Sequence, residues 1–479
     1  MAAPGRRRAA VPARSRASPQ AFPHGGIGTS GASYGRRRLD HVGESPPSGV
    51  LLDRSGDGRA PEPRRARPRP GPPCPVGGIR PPRRRTIVKR STSVLAVGAA
   101  LALAAGLASP AAAGGSHGGP GRPGTPTTIT DGLLTPLKLA VDRDGTSFVS
   151  QNFAGLLTRV SRTGAKTNVF SSGGDEVGSV SRRGRTTYLT TTGSDPQNPS
   201  AVLWSLRDGQ TTPRKMGDLF AHEQRRNPDR RTTYGFRTLK DPACLAQFPA
   251  GNPATYTGIV ESHPYATLPA RGGVFVADAA ANAILWVDEH GGRVSTVAAL
   301  PAAKPVKATP EILAAQGLPA CAAGYPYWFE AVPTDIEEGP NGKFYVTSLP
   351  GGPEDASLGA RGALFELKPW KGHLKPVADG FVGAVDVAAG PQGQLAVAEL
   401  FGGAQGQGQV TLLTPRKHRH GWGYSRSALP LTAPAAVEWV PGWRGASTLY
   451  ATTDAFGPQG PAPTGKIVKV PFSGHRSHR

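Results

Sequence analysis

Residues 272–287 read Gly272-Gly273-Val274-Phe275-Val276-Ala277-Asp278-Ala279-Ala280-Ala281-Asn282-Ala283-Ile284-Leu285-Trp286-Val287. A glycine turn leads into a short run of β-branched, aromatic and small apolar residues. A loop follows, and then a second such run. Both runs are too short for helices and too rich in Val, Ile and aromatic residues, so each is expected to be a strand. Val294-Ser295-Thr296-Val297 adds another. With the segment before the glycines, the whole is a four-stranded antiparallel unit.

The unit recurs. Turn glycines are expected at Gly145, Gly184, Gly273, Gly342, Gly393 and Gly445. Each is followed by a strand: Phe148-Val149-Ser150, Tyr188-Leu189-Thr190, Val274–Ala277, Phe344-Tyr345-Val346-Thr347, Leu395-Ala396-Val397-Ala398 and Thr448-Leu449-Tyr450-Ala451. Third strands follow at Leu157–Val160, Val202–Leu206, Ile284–Val287, Leu364–Leu367, Val410–Leu413 and Ile467–Val470. Asp144-Gly145, Asp208-Gly209 and Asn341-Gly342 suit tight hairpins, because these residues tolerate positive φ. The glycine intervals are 39, 89, 69, 51 and 52 residues, and the two long ones hold insertions at 221–258 and 301–330. Six repeated units predict an all-β fold, a six-bladed β-propeller. A pair of β-sandwiches would not produce units of such even size. Thr127-Thr128-Ile129-Thr130 precedes the first unit, and the last unit ends on its third strand. The N-terminal strand is therefore expected to complete the last blade and close the ring.

Composition alone points elsewhere. The chain has 479 residues, a formal charge of +23, 64 Gly and 49 Pro, the profile of a basic, partly disordered nucleic-acid binder. The charge is unevenly placed, however. Residues 1–113 hold 20 Lys+Arg against 5 Asp+Glu, leaving 36 against 28 for the rest. Residues 1–82 are an Arg/Pro-rich stretch with too little apolar surface to offset the entropy of ordering, and are read as a disordered leader or an untranslated segment. Residues 83–113 have a basic start, an apolar run Val94–Ala108 and small residues ahead of Gly114, the layout of an export signal. Its start is read at Val88, or upstream through Arg84-Arg85, which is similar to a twin-arginine motif. The apolar run is shorter than the roughly 20 residues of a membrane span. A linker at 114–125, the propeller at 126–472 and a tail at 473–479 complete the division. The mature chain keeps Cys244 and Cys321, and an even pair in an exported protein is expected to form a disulfide. Closing that loop would stabilise by about 4 kcal/mol. The mature chain is thus expected to be secreted, with no membrane span and no nucleic-acid partner.

Three further pieces carry a resemblance: Gly217-Asp218-Leu219-Phe220-Ala221-His222-Glu223 with Asn227-Pro228-Asp229, Glu261-Ser262-His263-Pro264-Tyr265 leading into the 272–282 stretch, and Glu330-Ala331-Val332-Pro333-Thr334. Over about residues 125–472 the chain resembles the ScyD/ScyE propellers, related in fold to NHL and SMP-30-type propellers. The resemblance implies a secreted propeller without an established catalytic mechanism; some members are associated with scytonemin biosynthesis. His263 stands where the resemblance leads one to expect Asn.

In a propeller the innermost strands line a central channel whose mouth gathers ligands. Glu261 and Glu330 both lie three residues before a proline, and Asp335 and Asp386 align with each other. Four acids around one mouth suit a hard divalent cation such as calcium; the alternative is pairing with Lys138 as channel packing. His263 and Tyr265 are candidates for a ligand-contacting or acid–base role, against a plain turn histidine. Tyr325, Tyr327, Trp328 and Phe329 are read as packing that seats the second insertion, or as a lid. Trp204, Trp286 and Trp370 are read as core, and Arg416–His420 as a solvated basic loop. No phosphate-cradling loop, zinc cluster or nucleophile elbow is present. The sequence thus reads as a non-catalytic binding or scaffold module for a small molecule or an extracellular partner. The alternative is a metal-dependent extracellular hydrolase or lactonase of SMP-30-like type.

Overall fold

A computed structural model describes residues 121–419, 421–442, 446–455 and 463–473. The segments read as leader (1–82) and export signal (83–113), with Gly445, His420 and most of 114–125 and 473–479, lie outside the described residues. Six four-stranded antiparallel sheets form the blades of a propeller. Their innermost strands are Pro136–Val141, Glu176–Arg183, Pro264–Ala270, Pro333–Glu338, Ala384–Ala389 and Ala436–Pro441. The second strands, such as Gly273–Asp278, Phe344–Ser348 and Leu395–Glu399, are buried along their whole length. Neighbouring blades cover both of their faces, which is why these strands read as unbroken apolar runs. Leu268, Phe275, Ile336 and Val346 fill the seam between blades three and four, and Leu364, Val387 and Val397 the next one.

The ring closes as expected. Thr127–Leu133 pairs antiparallel with Gly465–Phe472, Thr127 opposite Lys469 and Thr128 opposite Val468. The last blade thereby gains its outer strand, and the edge of Gly465–Phe472 is covered.

Three local readings need correction. In the third blade the left-handed turn residue is Gly272, at φ +89°, while Gly273 opens the second strand. A Cβ on Gly273 would meet the Trp286 ring at 2.5 Å, so close packing is its reason for being glycine. Arg416–His418 is not a loop but the end of a long third strand, Gln409–His418, paired with Gly421–Leu429. Trp370 is 72% exposed, on a turn whose ring leans over Trp286 rather than entering the core.

The insertions occupy residues 219–263 and 300–332. The first holds helix α1 (Leu219–Arg226), helix α2 (Pro242–Leu245) and a hairpin of Thr233–Gly235 with Thr255–Thr257. The second holds helix α3 (Pro310–Ala315) and the pair Val306–Lys307 with Pro326–Tyr327. Cys244 and Cys321 are joined, with Cα atoms 5.7 Å apart, and Gly235 exchanges backbone hydrogen bonds with Trp328 at 2.9 and 3.1 Å. Phe236, Leu239, Leu313 and Tyr327 give the insertions a shared small core of their own. Among the described residues no helix is long and apolar enough to cross a membrane.

Candidate functional site

Five innermost strands share one irregularity. The register slips at their second or third residue, leaving Leu137, Gly178, Tyr265, Thr334 and Val385 as bulges. Such bulges re-aim the side chains around them. The residues just after the bulges occupy equivalent places around the axis: Lys138, Ser179, Ala266, Asp335 and Asp386.

At this level the channel is filled by charge. Lys138 is 1% exposed, and its Nζ donates to the Thr334 carbonyl at 3.1 Å. Blades one and four are opposite in a six-membered ring, so this side chain spans the axis. Burial lowers Lys138 to about 8, against the pull of Asp335 and Asp386. Asp335 Oδ2 accepts from the Val387 N–H at 3.0 Å, and burial raises this carboxyl to about 6, with Lys138 opposing. Burial, then the Asp335 charge, holds Asp386 well above the usual carboxylate range. Glu337 is raised likewise. With Asp386 protonated, its O–H can donate to Asp335, and a single proton satisfies the pair.

Nearer the mouth, His263 Nε2 lies 2.8 Å from Glu176 Oε2, and its ring stacks on Tyr265 with centroids 4.6 Å apart. Lys138 Nζ stands 5.9 Å from the centroid of the same Tyr265 ring. Burial pushes the Tyr265 phenol up, with Glu176 and Glu354 adding to it.

A third group sits under the first insertion. Helix α1 is capped by Asp218, which accepts from the Ala221 N–H at 2.9 Å, and buries Leu219, His222 and Glu223 on one face. Glu223 is pushed up to about 9 by burial and then by Asp278 and Asp229, with Glu261 also contributing. Asp278 accepts from the His263 N–H at 2.7 Å and from Ser262 Oγ. Asp229 Oδ2 accepts from Tyr234 at 2.8 Å and from Asn282 at 3.0 Å. Burial lifts Asp229 to about 6, and Glu330 adds to the lift.

Glu330 faces the second insertion. It is 5% exposed and hydrogen-bonded by Tyr256, whose phenol burial pushes up. Beside it the two insertions and the blade-four loop enclose a cavity of about 240 Å³. Phe236, Tyr256, Leu313, Tyr327, Phe329 and Glu330 form much of its wall. Val332, two residues on, is held at φ +52°, a strained conformation for a β-branched residue. Its N–H donates to Asn282 Oδ1 at 2.9 Å, which fixes the chain leaving Glu330.

The six sequence-derived candidates are therefore distributed over neighbouring places. Asp335 and Asp386 meet each other and Lys138 in the channel. His263 and Tyr265 stack at the mouth, Glu261 joins Glu223 and Asp278, and Glu330 borders the cavity. Among the described residues no three His, Cys, Asp or Glu side chains are grouped as metal ligands. Glu176, Glu223, Asp229, Tyr256 and Glu337 were not singled out as site residues. Glu337 follows Asp335 by two and shares its strand face, a signal available in the sequence. The tight fit of Gly258 on Asp229, where a Cβ would lie 1.7 Å from Oδ1, was not.

Fold and site together define a six-bladed propeller whose mouth is covered by two disulfide-linked insertions. No protein-family model matches the sequence, and no curated protein matches it. Among solved structures, the chain is similar to the PQQ-bound aldose sugar dehydrogenase of Streptomyces coelicolor, at 13% identity and TM-score 0.43, over 74% of this chain and 99% of that one. It is similar to the soluble aldose sugar dehydrogenase of Escherichia coli at 13% identity and TM-score 0.43, over 73% and 99%. Virginiamycin B lyase of Staphylococcus aureus follows at 10% identity and TM-score 0.38, over 73% and 99%. At these levels neither ligand nor reaction carries over.

Proposed function

We propose that this protein is an exported, ScyD/ScyE-like binding module that takes a small, largely apolar molecule into the cavity at the mouth of the propeller. The observation that carries the reading is the cavity itself, about 240 Å³ and walled by Phe236, Leu313, Tyr327 and Phe329. Ligand sites are commonly concave and apolar with a few placed polar groups, here Glu330 and Tyr256. Export is supported by the layout of residues 83–113 and by the Cys244–Cys321 bond, since such bonds persist in oxidising compartments. Calorimetric titration with 2-phenylethanol tests the reading. One saturable site per chain is expected, lost in Ile312→Trp, which fills the cavity from the partly exposed face of α3. Binding that survives in a folded Ile312→Trp variant would contradict it.

A further inference from the structure

We infer that the cavity selects a cation: an amine or alkylammonium carried on a small aromatic or aliphatic body. The inference rests on the cavity being the binding site, and adds the chemistry of what it prefers. Four of its walls are aromatic rings, those of Phe236, Tyr256, Tyr327 and Phe329. They pack as a continuous surface, Tyr327 meeting Phe236 edge-on at 4.9 Å and Phe329 at 4.5 Å. Aromatic faces carry the negative side of the ring quadrupole and attract ammonium groups. The acidic group in the wall is Glu330, with Asp229 close enough to feel its charge. Tyr256 donates to Glu330, which helps fix the carboxylate at the cavity wall.

The nearby guanidinium does a different task. Arg361 stacks on Phe329 at 4.8 Å and donates to the carbonyls of Gly351, at 2.9 Å, and Pro353. Its charge is matched by Asp355 and Glu354. Arg361 therefore holds the loop that closes one side of the cavity. Size is also suitable. A cavity of about 150 Å³ takes up benzene, so about 240 Å³ has room for one ring and a short charged chain.

The experiment is a calorimetric titration of the mature exported protein with three probes of matched shape: 2-phenylethylamine, 2-phenylethanol and 3-phenylpropionate. The expected order is amine, alcohol, carboxylate, with the amine favoured over the alcohol by roughly tenfold or more. Glu330→Gln should lower the amine-over-alcohol ratio several-fold, the rings alone retaining a smaller preference. Equal binding of amine and alcohol by the unaltered protein overturns the cation preference while sparing the cavity as an apolar site. So does an amine-over-alcohol ratio that is undiminished in a folded Glu330→Gln variant. Binding of none of the three overturns both. The order measured on the unaltered protein decides the matter even where the variant fails to fold.

Discussion

Buried carboxyls dominate this molecule at the scale of single residues. Asp229 and Asp335 are pushed up to about 6, Glu354 to about 7 and Glu223 to about 9, in each case by burial first. In the unfolded chain the same groups titrate near 4. Between those values the folded protein keeps protons that the unfolded chain has lost. Their contribution to stability is therefore full below about pH 4 and is lost as pH rises through 6, 7 and 9. His222, lowered by burial, works in the opposite direction, but it is one group against four. Lys138, lowered to about 8, opposes the trend only around and above that pH. The urea midpoint is expected to be higher at pH 5 than at pH 8; a midpoint that rises over that interval would show that these carboxyls are ionised in the folded state. Only part of this was legible in the sequence. Lys138 could be matched to Asp335 and Asp386 by counting along repeats. The meeting of His263 with Glu176 depends on how two blades lean together, which no spacing within either strand records.

Several blades were legible as elements because second strands such as Gly273–Asp278 and Leu395–Glu399 are buried along their whole length and are largely apolar. The bulges were not. Whether Tyr265 or Thr334 is left unpaired depends on the partner strand, and local composition there resembles ordinary strand. The insertions were legible as interruptions of the repeat, and their joining through Cys244 and Cys321 as an even pair of cysteines. Their common core was not, because it is assembled from residues some 70 positions apart, such as Phe236 and Leu313. That core has few strands of its own and depends on the covalent link. Double replacement of Cys244 and Cys321 by Ala is expected to weaken it by about 2–5 kcal/mol. The blades, whose seams lie elsewhere, should retain their strand content. Limited proteolysis should then cut first within 219–263 or 300–332; cleavage starting within the blades would contradict this division.

At the scale of the whole molecule, the closed ring supplies the base and the disulfide-linked insertions supply the cavity. Closure by Thr127–Leu133 joins the start and the end of the propeller in one blade. The channel is crossed by Lys138 and occupied by buried carboxyls, and the proposed ligand place is the cavity between the insertions. The formal charge of +23 has little bearing on this, since most of it lies ahead of the propeller. The most direct test is a crystal structure of the mature protein soaked with 2-phenylethylamine. The molecule is predicted to lie between the Phe236, Tyr327 and Phe329 rings, its nitrogen within hydrogen-bond distance of the Glu330 carboxylate. Density for the probe in the central channel or on an outer face, with the cavity between the insertions empty, would contradict the account.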